Sequence, residues 1–197
     1  MYKDKTIRDY LKKLSSCEPA PGGGSSAALT GAQGAALIAK VARFTLDNPK
    51  YERLKQTMGA ILKHGEILIK DFLRLSEEDA RVYSDVRKEL KKTGDNSLYK
   101  KAALVPIETC RTSYEAIKLC LPLVREGNRN LITDTGCAAI LLKGAFFAAL
   151  LNVEVNLKYL KDPDFILKTG EILKPLEENV TIIEREISKE VDMELAK

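Results

Sequence analysis

The sequence predicts an all-α fold, a bundle of about six helices, some of them long and kinked. Aromatic residues make up only 6% of the 197 residues and Trp is absent, so the core must consist mainly of Leu, Ile, Val and Ala, which favours helices. Apolar residues recur at the helical period along most of the chain, and no stretch alternates apolar and polar residues as a strand does. We therefore expect a single helical domain spanning residues 1–197.

The first three predicted helices are bounded by prolines and capping residues. The first helix follows Thr6 and ends by the region 17–21, which contains the prolines at 19 and 21. The second helix covers about 25–46 and is rich in Ala, Gly and Ser, so a neighbouring helix can approach it closely. Asn48-Pro49 ends that helix and begins the third, because proline is favoured in a first turn. A capping-type segment at Ser76 predicts a bend and a fresh helix start.

Three further helices are predicted after a loop at 91–96. The fourth covers about 97–125 and contains two prolines that can kink it. The fifth covers about 134–160 and includes the nearly continuous apolar run 137–153. That run is shorter than the roughly 20 residues of a membrane span and contains Lys143, so we expect a helix in the bundle core or at a subunit interface. The last helix starts at Asp162-Pro163 and carries an apolar seam, which favours a homodimer.

Charge and cysteine content exclude several classes of function. Lys and Arg total 32 against 28 Asp and Glu, and the two signs are interspersed, so we expect no nucleic-acid partner. One His and four Cys without a CxxC pair do not predict a metal site. The cysteine usage fits a reduced compartment, and the polar N-terminus does not resemble a signal peptide, so we expect a cytoplasmic protein without membrane attachment.

The segment PAPGGGSS at 19–26 is the strongest candidate for a binding loop. The consecutive glycines Gly22, Gly23 and Gly24 allow the backbone to approach a ligand closely. Ser25 or Ser26 can cap the following helix, whose first N–H groups then form a cradle for an anion or a polar ligand. The alternative is a flexible loop between helices. No strand precedes the segment and no Lys follows at P-loop spacing, so it does not predict a nucleotide site.

A second polar segment, GNRNLITDTG, covers residues 127–136. The amides of Asn128 and Asn130 can recognise a polar ligand, and Thr133 or Asp134 can cap the fifth helix. The alternative for Asp134 is a plain capping role, which is compatible with catalysis.

Asn152 and Asn156 follow the apolar run and lie four residues apart, on one face of the fifth helix. Amides on the inner face of an apolar helix cost stability unless they are hydrogen-bonded. They either satisfy backbone groups or face a ligand.

The segments PAPGGGS, GNRNLITDTGCAA and NVEVN, in this order and spacing, resemble the cyclodeaminase/cyclohydrolase family. This family is the all-helical C-terminal half of formiminotransferase-cyclodeaminase and also exists as a free-standing bacterial protein. The resemblance covers most of the chain. It implies a homodimer that acts on tetrahydrofolate derivatives without a further cofactor. It implies either hydrolysis of 5,10-methenyltetrahydrofolate to 10-formyltetrahydrofolate or cyclisation of 5-formiminotetrahydrofolate with loss of ammonia.

The resemblance also indicates the site residues. Asp79 lies in a segment of the form D-A-x-x-aromatic, and Asp134 lies in the GNRNLITDTG segment; both are candidate catalytic carboxylates, each expected at a helix N-terminus. The alternative for Asp79 is a solvated or capping acid. The candidate substrate-binding residues are Gly22, Gly23, Gly24, Ser25, Asn128, Asn130, Thr133, Asn152 and Asn156. We expect both segments to line one pocket, which a dimer interface could form; motifs at opposite ends of the bundle would contradict catalysis.

The sequence departs from the family pattern between Asp79 and Val105-Pro106. Family members carry a longer stretch there with a Leu-Pro-Lys turn, which this chain lacks. Candidates to replace that lysine are Lys91, Lys92, Lys100 and Lys101. The departure supports an alternative interpretation, a divergent folate-binding or helical assembly protein without catalysis.

Overall fold

The computed structural model describes residues 4–197, which contain seven α-helices, two 3₁₀ helices and no strand. The all-α prediction is confirmed. The predicted helix 97–125 is divided in two at Leu119, rather than kinked at Pro122. The α-helices are α1 (Ile7–Leu14), α2 (Gly23–Leu46), α3 (Lys55–Thr93), α4 (Leu98–Lys118), α5 (Cys120–Glu126), α6 (Ile132–Tyr159) and α7 (Pro163–Leu195), and the 3₁₀ helices are Pro49–Leu54 and Arg129–Leu131.

Four helices form the centre of the bundle. α2 packs along both α3 and α6, and α4 packs along the same two helices from the opposite side. α3 and α6 therefore face each other across the bundle, while α7 covers α4 and α6. One continuous apolar core joins these helices, with Phe72, Phe146, Ile38, Met58 and Leu142 among its fully buried side chains. Burial of each such side chain stabilises the fold by about 1.5–3 kcal/mol.

The small residues of α2 allow its two neighbours to approach closely, as predicted. A Cβ atom on Gly31 would lie 2.7 Å from Cζ of Phe72 in α3. A Cβ atom on Gly34 would lie 2.7 Å from Cγ of Leu142 in α6. Both distances are shorter than van der Waals contact, so the packing of α2 depends on glycine at these positions.

We expect Gly31→Ala to lower the free energy of unfolding by about 1–3 kcal/mol, because the added methyl group overpacks the core against Phe72. Gly59→Ala is the matched control. The space around Gly59 is open, so alanine there removes only the cost of helical glycine and stabilises α3 by about 0.5–1 kcal/mol. Urea unfolding measures both values; equal effects of the two substitutions would contradict the packing argument.

No new helix begins at Ser76, where the sequence predicted one. α3 continues through this residue to Thr93. The Ser76 hydroxyl is buried, donates to the Ser25 carbonyl oxygen at 3.0 Å and lies 2.8 Å from the Ser25 hydroxyl. A tertiary contact therefore satisfies the polar group that resembled a cap. As a consequence Asp79 lies in the middle of α3 and not at a helix N-terminus.

The first and last helices begin where the sequence predicted, and each has a side-chain cap. Thr6 Oγ1 accepts a hydrogen bond from the Asp9 N–H, and Asp162 Oδ1 accepts one from the Phe165 N–H directly before Pro163 and α7. The predicted serine cap of α2 is wrong, because the helix starts at Gly23 and its N-cap is Gly22.

α6 and the turn before it form, among the described residues, one helix of sufficient length and apolarity to span a membrane. Of its most apolar window, 44% is buried inside the chain. Lys143, in the middle of this window, pairs with Glu184 of α7 at 2.6 Å. The part of α6 that packs on α2, α4 and α7 thus belongs to the bundle core.

Candidate active site

A pocket with a volume of about 260 Å³ opens at the end of the bundle where α2 begins. Its walls are the loop before α2 and segments of α3, α4 and α6. Six of the predicted site residues line it: Gly22, Gly23, Gly24, Asp79, Asn152 and Asn156. The sequence-distant glycine loop, Asp79 segment and asparagine pair therefore meet at one site.

The floor of the pocket is the N-terminus of α2. The first hydrogen bond within the helix runs from the Ser26 N–H to the Gly22 carbonyl oxygen, so the N–H groups before it need other partners. The Ser25 N–H donates to the Asp79 carboxylate. Within residues 4–197, the N–H groups of Gly23 and Gly24 have no acceptor. These two donors and the positive end of the helix dipole face the pocket.

Side chains of α3 and α6 lie directly on the glycines of the floor. A Cβ atom on Gly24 would lie 2.7 Å from Oδ2 of Asp79. A Cβ atom on Gly23 would lie 3.3 Å from Nδ2 of Asn152. The glycine run thus allows an acid and an amide to reach the helix N-terminus from opposite walls.

Asp79 is set for proton transfer near neutral pH. Burial in the pocket raises the pKa of its carboxyl group to about 6, and the hydrogen bond from the Ser25 N–H partly opposes that effect. A group with a pKa close to the working pH can both accept and donate a proton efficiently. Asp79 is therefore the candidate general acid–base of this pocket.

Asn152 and Asn156 are oriented by their own helix. The Asn152 side chain donates to the Ala148 carbonyl oxygen at 2.8 Å, and the Asn156 side chain donates to the Asn152 carbonyl oxygen at 2.7 Å. Each bond fixes the amide group against α6. The Oδ1 atom lies on the other side of the amide, where it can accept a hydrogen bond from a ligand. The two amides satisfy backbone groups and also line the pocket; ligand binding by them stays a prediction.

Ser25 lies behind the floor rather than in the pocket. Its side chain is buried and hydrogen-bonded to Ser76. This contact ties the first turn of α2 to α3, three residues before Asp79. Ser25 therefore fixes the position of the α2 N-terminus relative to the Asp79 carboxylate.

The segment 127–136 lies at the opposite end of α2. The Asn128 N–H donates to Thr45 Oγ1 at 3.0 Å, its amide lies 3.4 Å from the Phe44 carbonyl oxygen, and its Oδ1 accepts from the Asn130 N–H. The Asn128 carbonyl oxygen accepts from the Leu131 N–H at 2.9 Å, so each polar group of Asn128 has a partner within the protein. Ligand binding by Asn128 stays a prediction.

Asp134 lies in the first turn of α6 and pairs with Lys40 of α2 at 2.9 Å. The helix starts at Ile132, so neither Thr133 nor Asp134 forms its cap. Asn130 and Thr133 are exposed beside this pair. Lys40 is 17 residues from Gly23, which corresponds to about 25 Å along α2. Within one chain the two predicted motifs therefore lie at opposite ends of α2, and the expectation that they line one pocket is wrong for a single chain. A catalytic site that contains both would have to be formed by two chains.

Comparison with known proteins decides the family. Residues 6–174 match the family described as Formiminotransferase-cyclodeaminase. The chain belongs to this family. It is 32% identical over 189 residues to a methenyltetrahydrofolate cyclohydrolase from Methylorubrum extorquens. The alignment covers 90% of this chain and 89% of that protein.

Two further similarities are to a longer family member and to a family member with a solved structure. The chain is 28% identical to mouse formimidoyltransferase-cyclodeaminase, an alignment that covers 84% of this chain and 33% of the mouse protein. It thus spans about a third of that relative. The crystal structure of a formiminotetrahydrofolate cyclodeaminase from Thermotoga maritima aligns with a TM-score of 0.93 and 27% identity over 98% of both chains.

The pocket of the present protein is also lined by residues that the sequence analysis did not identify as site residues. Tyr83 and Val155 line the pocket, one turn beyond Asp79 and Asn152 respectively. The available signals were that Tyr83 is the aromatic of the D-A-x-x-aromatic segment, four residues after Asp79, and that Val155 follows Asn152 by three residues. None of Lys91, Lys92, Lys100 and Lys101 lines the pocket, and Lys100 pairs instead with Asp162 at 2.8 Å. Residues 4–197 contain no group of three or more His, Cys, Asp or Glu that could hold a metal ion.

We expect Gly24→Ala to lower kcat about 100-fold, because the new methyl group displaces the Asp79 carboxylate by an ångström or more. The displaced atoms are the mobile end of a side chain, so the melting temperature is expected to change little. Gly170→Ala, at a glycine of α7 in open space, is the control. A Gly24→Ala variant with full kcat would show that the observed position of the carboxylate is unimportant for turnover.

Proposed function

We propose that this protein is a folate one-carbon enzyme that hydrolyses 5,10-methenyltetrahydrofolate to 10-formyltetrahydrofolate. The observation that carries the proposal is the Asp79 carboxyl group, with its pKa near 6, placed on the α2 N-terminus inside the pocket. The similarity to a cyclohydrolase over about nine-tenths of both chains supports this choice of reaction. Cyclisation of 5-formiminotetrahydrofolate is the second candidate, since the Thermotoga maritima protein of the same fold is named for it.

In the proposed hydrolysis, the methenyl carbon between N5 and N10 is already cationic and electrophilic. Asp79 accepts a proton from a water molecule while the water oxygen forms a bond to this carbon. The resulting tetrahedral centre is neutral and carries a hydroxyl group. Its C–N5 bond then breaks as Asp79 returns the proton to N5, and the hydroxyl group loses its own proton to solvent as it becomes the formyl C=O. The product carries the formyl group on N10. The ionised carboxylate also stabilises the cationic substrate before attack.

The same groups can serve the second candidate reaction. N10 of 5-formiminotetrahydrofolate attacks the carbon of the protonated formimino group, and Asp79 accepts the proton that N10 loses. The carboxylic acid then donates a proton to the departing nitrogen, so ammonia leaves and the methenyl bridge remains. Both reactions pass through a tetrahedral centre on the same carbon.

The remaining pocket groups bind the polar parts of the substrate. The free N–H groups of Gly23 and Gly24 donate to a substrate oxygen or nitrogen, and the amides of Asn152 and Asn156 recognise substrate donors and acceptors. The bridge carbon needs no further activation by a redox group, so we propose no cofactor besides the folate. The four cysteines are free thiols, which supports a reduced, cytoplasmic location.

We also propose that the protein is a homodimer, formed through the outer face of α6. Ile140 is 57% exposed and Leu151 is 66% exposed on this face. Cys137 and Val155 continue the same apolar stripe. The charged Glu154 and Lys158 flank it, which favours a second protein surface over lipid. A symmetric dimer buries such a self-complementary stripe on both copies.

The spacing of the stripe supports a two-fold axis at Gly144. This glycine is exposed, has open space around it and lies midway between Thr133 and Val155. An axis there pairs Cys137 with Leu151 of the partner subunit. A two-fold axis near the middle of α6 places the two copies of this helix antiparallel. The Asp134 end of one chain then meets the Asn152 end of the other. In such a dimer, each pocket would contain Asp79 from one chain and Asp134 from its partner.

Leu151→Asp tests this interface. We expect the variant to be a folded monomer in sedimentation experiments, because two buried carboxylates would face the partner surface without compensation. Leu167→Asp, at a leucine of α7 that is equally exposed, should leave the oligomeric state unchanged. A wild-type monomer, or a Leu151→Asp dimer, would contradict the proposed interface.

Product analysis separates the two candidate reactions. The purified protein is incubated with 5,10-methenyltetrahydrofolate and, separately, with 5-formiminotetrahydrofolate. We expect 10-formyltetrahydrofolate from the first substrate above the buffer rate. Ammonia release from the second substrate alone would assign the cyclodeaminase reaction instead, and turnover of neither would reject the proposal.

A further inference from the structure

Tyr83 occupies a position in the pocket for which the proposed chemistry gives no role. Its side chain lines the pocket from α3 and is 48% exposed. An aromatic ring that lines a cavity without being buried leaves a face available for a ligand. Tyr83 follows Asp79 by four residues, so it lies on the same face of α3, about 6 Å further along the axis.

The opposite wall at this level is also apolar. Val155 of α6 lines the pocket and is 49% exposed. α3 and α6 face each other across the bundle, because α2 and α4 each pack between them. Val82 and Val105 add apolar surface to the same pocket. Tyr83 and Val155 thus bound a slot with apolar walls above the polar floor of Asp79, Asn152 and the α2 N-terminus.

We infer that Tyr83 is a positioning residue that stacks on the pterin ring of the folate substrate. This inference rests on the proposed function. The pyrimidine part of this ring system is planar, polar at its edges and apolar on its faces, and matches a slot with apolar walls and a polar floor. N5 belongs to the edge of this ring, so the bridge carbon also lies at the edge. A ring stacked on Tyr83 with that edge toward the floor directs the carbon to Asp79, one helical turn below.

The test measures affinity and turnover separately. We expect Tyr83→Leu to weaken binding of 5-formyltetrahydrofolate and of the fragment 6-methyltetrahydropterin about tenfold or more, because an aliphatic side chain cannot replace ring stacking. Tyr83→Phe keeps the ring and should bind both probes as the wild type does. Calorimetry gives the affinities, and the KM for 5,10-methenyltetrahydrofolate should rise in parallel.

Controls distinguish this inference from a general structural effect and from the proposed function. Ile67→Ala changes another half-exposed apolar residue of α3 that does not line the pocket, and should leave both affinities unchanged. Wild-type affinity in Tyr83→Leu would overturn the stacking role while leaving the proposed function intact. A loss of affinity in Tyr83→Phe equal to that in Tyr83→Leu would assign the effect to the hydroxyl group and also overturn it. Absence of folate binding by the wild type would reject the proposed function itself.

Discussion

Replacing Asp79 with asparagine is expected to lower kcat for hydrolysis of 5,10-methenyltetrahydrofolate by about 10²–10⁴-fold, the usual contribution of a general acid–base. The asparagine amide keeps the size of the side chain and can still accept the Ser25 N–H, but it cannot exchange a proton with water or N5. The measurement is steady-state turnover with the buffer rate subtracted. Asp85→Asn, at an exposed aspartate of the same helix, is the control and should retain full kcat.

The same substitution is expected to stabilise the protein at pH 7–8. Burial raises the pKa of Asp79 from 3.8 to about 6, so ionisation of this group costs more in the folded chain than in the unfolded one. That cost is absent below about pH 4, where both states are protonated, grows between pH 4 and 6, and is fully present above about pH 6. Asp79→Asn should therefore raise the melting temperature at pH 7.5 by a few degrees and leave it unchanged below pH 4.

The pH profile supplies an independent check on Asp79. Wild-type kcat/KM should fall as the pH is lowered through about 6, where the catalytic carboxylate becomes protonated. The residual activity of Asp79→Asn should not show this decrease at low pH. Unimpaired turnover in the variant would remove Asp79 from the mechanism, and a lower melting temperature at pH 7.5 would contradict the burial cost.

Mixing two inactive variants is expected to restore activity if the dimer forms as proposed. Asp79→Asn and Asp134→Asn should each lose most turnover alone, since every pocket then lacks one carboxylate. In a mixed dimer, one of the two pockets receives intact Asp79 from one chain and intact Asp134 from the other. Random exchange of equal amounts should therefore regenerate about a quarter of the wild-type sites in a two-fold symmetric dimer.

The control mixture combines Asp79→Asn with the double variant, in which no chain carries Asp79 and no activity should return. Mass spectrometry of differently tagged chains establishes that mixed dimers have formed. Mixed dimers without activity would show that the two aspartates do not share a pocket across the interface. Full activity of Asp134→Asn alone would assign this residue to its ion pair with Lys40 and not to catalysis.

Local signals in the sequence predicted most helix boundaries. Thr6, Asp162 and Pro163 act through neighbours within three residues, so their capping roles are readable from spacing alone. Ser76 shows the limit of such signals. Its hydroxyl resembled a helix start, but a partner 51 residues away in the sequence satisfies it, and no local pattern encodes that contact.

The candidate site could be predicted only in part, because some of its contacts also join distant segments of the chain. Gly24, Asp79 and Asn152 were selected by residue type and family resemblance, and the fold brings them together. The reason for Gly24 emerged only from three-dimensional packing, because the space it leaves holds a carboxylate from another helix. The proposed relation between Asp79 and Asp134 involves a second chain, which a single sequence does not describe.

The most direct test of the central claim follows the absorbance of 5,10-methenyltetrahydrofolate in the presence of purified wild-type protein and of Asp79→Asn. We expect the wild type to consume the methenyl chromophore well above the buffer rate. We expect Asp79→Asn to bind 5-formyltetrahydrofolate as tightly as the wild type but to consume the chromophore at nearly the buffer rate. A wild-type protein that neither accelerates the loss of absorbance nor binds a folate in calorimetry would contradict the account.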